Sequence, residues 1–114
     1  MSIVRHLKNG TGFGSTEFIV VRVNSELTTV KWVYYCLRSL NFIVDGIKIM
    51  TGSVGHQRIS SDFVRYYKIP IPSIHIQQKI IEKIEFERSI VEQNKKLVEI
   101  YKEKVANKLD KLFN

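Results

Sequence analysis

The chain has 114 residues, 44% hydrophobic and 25% charged, with six glycines and two prolines, which is the composition of one ordinary folded domain and leaves little chain for a large catalytic cavity. Eighteen Lys and Arg against eleven Asp and Glu give a net charge of +7, the imbalance of a chain that meets a polyanion. A single cysteine, Cys36, excludes an internal disulfide and a thiolate zinc site, so a reducing, cytoplasmic setting is expected.

No apolar segment follows a basic start in the first twenty residues, and the longest uncharged apolar run is Trp32 to Leu37, so neither a signal peptide nor a membrane span is expected. Residues 1–75 hold nine basic against four acidic side chains, while residues 76–114 hold nine against seven. This asymmetry divides the chain into two segments with different roles.

Gly10, Gly12 and Gly14 precede a β-branched run rather than following a strand and opening a helix, so they are not a dinucleotide fingerprint. Glu17–Val23 (EFIVVRV) is suited to a strand, and Thr28–Leu40 has the length and apolar stripe of a helix that Thr28 or Thr29 can cap. Cys36 falls within that stripe as a small buried hydrophobe. A short strand is expected over Phe42–Met50, followed by a tight loop at Thr51–Gly55. The Ile69–Pro72 segment (IPIP) must be extended, because each proline disfavours helix in the residue before it.

After Ser73 nothing breaks a helix for about forty residues. Ile84, Val91, Val98, Val105 and Leu112 recur at intervals of seven, with Ile80, Asn94 and Tyr101 in the companion row, which is a coiled-coil heptad. Ser73 serves as N-cap, and Gln77 and Gln78 are placed to reach back toward free backbone donors. Such a helix is over 50 Å long at about 1.5 Å per residue, so its apolar seam needs a partner: another copy or a helix of another protein. The alternative is a helix folded back on its own small domain. Asn94 costs stability in the seam and fixes register.

No nucleophile, base or metal pattern occurs at usable spacing. His6, His56 and His75 stand apart, and Glu17, Glu26, Asp45 and Asp62 are the carboxylates outside the helix, with no pair set for two-metal chemistry. The more informative stretch is Met50–Arg65, where a Gly-flanked polar loop adjoins His56, Gln57 and Arg58. Gln and Arg make bidentate contacts to adenine and guanine edges, the Thr51 and Ser53 hydroxyls and Arg58 suit phosphate oxygens, and Lys48 is expected near DNA with them. Two readings stand side by side: a DNA-reading loop, or a turn made by Gly52 and Gly55 with Gln57 and Arg58 capping the neighbouring element.

The order of these motifs carries a resemblance. Gly14–Val20, Trp32–Leu37, Thr51–Ile59, Ile69–Pro72, Gln77–Ile81 and the long helix together resemble the DNA specificity (S) subunit of Type I restriction-modification systems, over nearly the whole chain. More narrowly, the chain looks like the distal part of one target-recognition domain followed by one conserved spacer helix. The resemblance implies an α+β fold, with a small mixed recognition domain over 1–72 and a long coiled-coil helix over 73–114. It implies a non-catalytic DNA-recognition and scaffold role, reading part of a split site on double-stranded DNA. No cofactor is implied on this chain, since S-adenosylmethionine belongs to the N6-adenine methyltransferase (modification) subunits that bind S. The restriction subunit is an indirect partner, and the helix pairs with a second copy or with another specificity subunit. Apart from the resemblance, the composition also fits a coiled-coil interaction protein with a basic segment that binds nucleic acid without sequence preference.

Overall fold

A computed structural model describes residues 1–50 and 58–113, and it divides into two compact units, Met1–Gln78 and Lys79–Asn114. The first unit holds a 3-10 turn at Lys8–Gly10, helices α1 (Val30–Cys36), α2 (Leu40–Ile49) and α3 (Ser61–Tyr66), and the first turn of α4 (Ile74–Phe113).

The helix expected over Thr28–Leu40 is found, shorter, over Val30–Cys36, and a second begins at Leu40. Thr29 caps α1, its Oγ1 accepting from the Trp32 amide at 3.2 Å. Ser39 ends that run by capping α2 instead, with its Oγ accepting from the Phe42 amide at 3.3 Å. The strand expected over Phe42–Met50 is corrected to helix α2. Phe42 and Gly46, four apart, are buried on one face, while Leu40, Ile43, Val44 and Ile47 form an exposed apolar stripe at helical spacing.

Phe42 is the centre of a ring cluster, with Phe63 of α3 at 5.3 Å and Tyr67 at 4.9 Å between centroids, the latter edge-on. Gly46 packs close beside it: a Cβ there would stand 2.9 Å from Ile59 Cδ1 and 3.4 Å from the Phe63 ring, so the end of the Ile59 side chain would have to shift. Ser60 caps α3 through the Phe63 amide, at 3.1 Å.

The strand expected over Glu17–Val23 is also not found. The Phe18 amide donates to the Ser15 carbonyl at 3.1 Å, and the Glu17 amide to Ser15 Oγ at 3.1 Å, which draws Glu17 into a turn. Among the described residues no segment pairs with Ile19–Val23, and no strand is present, so the structure supports the helical part of the α+β expectation alone. A β-branched run has no ladder without a neighbouring strand.

Residues 69–73 are non-helical, as the two prolines require. Their carbonyls are held by side chains. Trp32 Nε1 donates to Pro70 O at 2.8 Å, and Gln77 Nε2 donates to Pro72 O at 2.8 Å and to Leu27 O at 3.0 Å. Gln77 is fully buried, and its expected role toward free backbone donors is corrected: its Oε1 accepts from the Thr28 hydroxyl and its Nε2 donates to carbonyls, tying the 27–28 segment to the start of α4. Ser73 does cap α4, accepting from the Ile76 amide at 3.4 Å.

Candidate nucleic-acid interface and pairing helix

Of the six side chains expected to meet DNA, Lys48 and Arg58 are described, while Thr51, Ser53, His56 and Gln57 lie outside the described residues. Lys48 is in the last turn of α2, where a cation also suits the carbonyl end of the helix. It is exposed, and its Nζ stands 3.8 Å from Asp45 Oδ1. The second oxygen of the same carboxylate, Oδ2, accepts from the Tyr67 hydroxyl at 3.0 Å. Asp45 thus links the candidate cation to the aromatic cluster. Burial, and then the hydrogen bond and charge of Asp45, push the Tyr67 phenol above its ordinary range, because each disfavours the phenolate.

Arg58 is exposed, with its Nη1 at 3.2 Å from Glu17 Oε1. Lys48 and Arg58 stand at the two sides of the 51–57 segment in the chain, each beside a carboxylate. An exposed ion pair of this kind is weak and exchanges readily for a phosphate. Arg5, Lys8, Arg22, Arg38, Arg65 and Lys68 are exposed as well, so the first unit presents a broadly basic surface. Arg38 is the aromatic-backed member, with its guanidinium 5.2 Å from the centre of the Tyr34 ring and Nη1 donating to Tyr34 Oη at 3.1 Å.

Burial pushes the Cys36 thiol up, which keeps it protonated and a poor nucleophile near neutral pH. Among the described residues no group of three His, Cys, Asp or Glu side chains could hold a metal ion, and no helix is long and apolar enough to cross a membrane.

Every residue of the expected seam lies within the single uninterrupted helix α4. Ile84 is half-buried and Ile80 is exposed, and Val91, Asn94, Val98, Tyr101, Val105 and Leu112 are all exposed, with Val91 and Val98 about half accessible at 51% and 53%. Leu97, Val98, Tyr101, Val105, Ala106 and Leu109 line a shallow apolar surface in its second half. Glu87 and Lys108 fall in the same row as Asn94 and Tyr101, so that row is more polar than the one carrying Val91 and Val98.

The sequence reading passed over Asp45, Glu17 and Tyr67 as partners of the candidate cations. Asp45 stands three residues before Lys48 on one helix, a spacing legible in the sequence, whereas Glu17 reaches Arg58, and Tyr67 reaches Asp45, across distances in the chain that no local pattern encodes.

The family model described as Type I restriction modification DNA specificity domain matches residues 4–101. The specificity subunit of the Type I restriction enzyme EcoAI, from Escherichia coli, is 38% identical over 80 residues, covering 70% of this chain and 14% of that protein. The EcoEI specificity subunit, also from Escherichia coli, is 33% identical over 79 residues, covering 69% of this chain and 13% of the relative. The chain therefore spans about one-seventh of the length of these relatives. No solved structure matches it.

Proposed function

Because the chain belongs to the family of Type I restriction-modification DNA specificity domains, we propose that it is a non-catalytic recognition and scaffold element of a Type I complex in the cytoplasm. Its first unit contacts one part of a split site on double-stranded DNA, and α4 is the helix through which it assembles. The observation that carries this reading is the family match over residues 4–101, which takes in both the basic first unit and most of the helix. Exposed cations at Lys48 and Arg58, either side of a Gly-containing polar stretch, support DNA as the ligand.

On this reading N6-adenine methyl transfer belongs to modification subunits that bind S-adenosylmethionine, and DNA cleavage belongs to a restriction subunit reached through them. This chain contributes position. It holds a DNA half-site at a fixed place relative to the enzymes.

The test is affinity capture of the tagged chain from lysate of its native host after nuclease treatment, with the retained proteins identified by mass spectrometry. Enrichment of an adenine methyltransferase is the expected result. Recovery of the chain alone, or with RNA-binding proteins, overturns the reading in favour of a general basic nucleic-acid module. Such a module also shows a steep salt dependence of binding with the same affinity for every sequence.

A further inference from the structure

Glu17 and Arg58, far apart in the chain, meet at the surface of the first unit with Oε1 and Nη1 3.2 Å apart, each side chain more than half exposed. Solvent leaves so exposed a pair little role in stability. For phosphate alone Arg58 would serve better without the carboxylate, which occupies one of its donors and repels the same anion. Glu17 is nonetheless one of the few acids in a segment rich in Lys and Arg, and the turn that carries it is held in place. Ser15 Oγ accepts from the Glu17 amide and the Ser15 carbonyl from the Phe18 amide, both at 3.1 Å. Gly14 lies against the Phe18 ring, where a Cβ would stand 2.6 Å from Cδ2.

A donor beside an acceptor is what the edge of a base pair demands. In the major groove G·C presents guanine N7 and O6 as acceptors and then cytosine N4 as donor, while A·T puts the adenine N6 donor between two acceptors. Guanine O6 and cytosine N4 are hydrogen-bonded to each other, so they stand about 2.9 Å apart. That matches the 3.2 Å between Arg58 Nη1 and Glu17 Oε1. The guanidinium fork keeps donors for N7 and O6 while it holds Glu17, and the ionised carboxylate, which only accepts, keeps lone pairs for the N4 amino group. We infer that Glu17 and Arg58, kept in contact, read one G·C base pair in the major groove, with Arg58 over guanine and Glu17 over cytosine. On A·T the same pair meets two mismatches: the N6 donor faces the guanidinium, and the thymine O4 acceptor faces the carboxylate. Rejection of the wrong base pair is then the contribution of Glu17. The inference rests on the reading of the first unit as DNA-binding and adds which base pair these two residues select.

The test selects duplexes from a randomised pool with the full chain and with full-length Glu17→Ala, Glu17→Gln and Arg58→Ala variants, folding being checked by circular dichroism. The unaltered chain is expected to fix a G·C pair at one position and to disfavour A·T there on the order of tenfold or more. Glu17→Ala and Arg58→Ala should each lose that preference and leave the other selected positions as they were. Glu17→Gln, which adds a donor to the acceptor, should admit A·T at the same position, and without the carboxylate charge it should hold unrelated duplexes more tightly at low salt. If Arg58→Ala weakens every duplex equally and Glu17→Ala leaves the selected sequence intact, Arg58 is a phosphate contact only. If the two alanine variants relax different positions, they do not share a base pair. Either result overturns the inference while DNA recognition by the first unit stands. If the unaltered chain selects no sequence, or retains no duplex, the recognition reading itself fails and the inference falls with it.

Discussion

Thr28 and Gln77, 49 residues apart in the chain, share a buried hydrogen bond in which Thr28 Oγ1 donates to Gln77 Oε1 at 2.9 Å. The same side-chain amide donates from Nε2 to the carbonyls of Leu27 and Pro72. One glutamine thereby satisfies three polar groups that fold together, and among the described residues no buried side-chain nitrogen or oxygen lacks a partner. The value of such a residue is asymmetric: its bonds are modest when made and costly when broken.

Replacing Gln77 by Leu strands two backbone carbonyls and a hydroxyl, so the chain is expected to lose about 3 kcal/mol or more of stability. Thr28→Val removes one bond and costs about 1 kcal/mol. Urea unfolding of both single variants and the double variant measures this. The double variant is expected to lose less than the sum of the singles, because the hydrogen bond between the two side chains is counted in both single losses and can be lost only once.

Trp32 is buried, and its indole nitrogen holds Pro70 O at 2.8 Å. Trp32→Phe keeps most of the apolar contact and deletes the donor, with an expected cost of about 1–2 kcal/mol. Trp32 is also the only tryptophan. Its fluorescence therefore reports unfolding of this region in the unaltered chain, and circular dichroism follows the variant.

Tyr67 donates to Asp45, and its phenol titrates above the ordinary tyrosine range. A raised folded-state pKa means that the neutral phenol is favoured, so the contribution is complete below the unfolded-state value and is lost as pH rises through the folded one. Stability is expected to fall in strongly alkaline solution. Asp45→Asn should move the Tyr67 titration, read by ultraviolet absorbance, down in pH, since it removes the charge that opposes the phenolate.

Glu17 and Arg58 form an exposed pair, so neither Glu17→Gln nor Arg58→Ala should change stability by more than about 0.5 kcal/mol. Their effects on duplex DNA should be opposite. Freeing the guanidinium with Glu17→Gln tightens binding severalfold at low salt, and Arg58→Ala weakens it, as fluorescence anisotropy with a labelled duplex would read. Equal binding by the two variants would remove Arg58 from the interface.

Val91→Asp with Val98→Asp places two carboxylates in the α4 seam. Because both positions are exposed in the single chain, the fold should persist, while any complex that covers them loses several kcal/mol. Unchanged association with a helix partner in light scattering would refute the seam assignment.

Local interactions made part of this protein legible from sequence. The prolines at 70 and 72 set the extended approach to α4, Ser73 its start, and heptad spacing its continuation to Phe113, because helical hydrogen bonds and caps join residues only three or four apart. Other features depended on partners far along the chain. Phe42–Met50 became helix because Phe42 and Gly46 pack on Ile59, Phe63 and Tyr67, and among the described residues Glu17–Val23 has no second strand to form a ladder with. Gln77, which by position belongs to a helix start, took its role from Leu27, Thr28 and Pro72, since a buried amide must be satisfied by whichever groups the tertiary fold brings within reach.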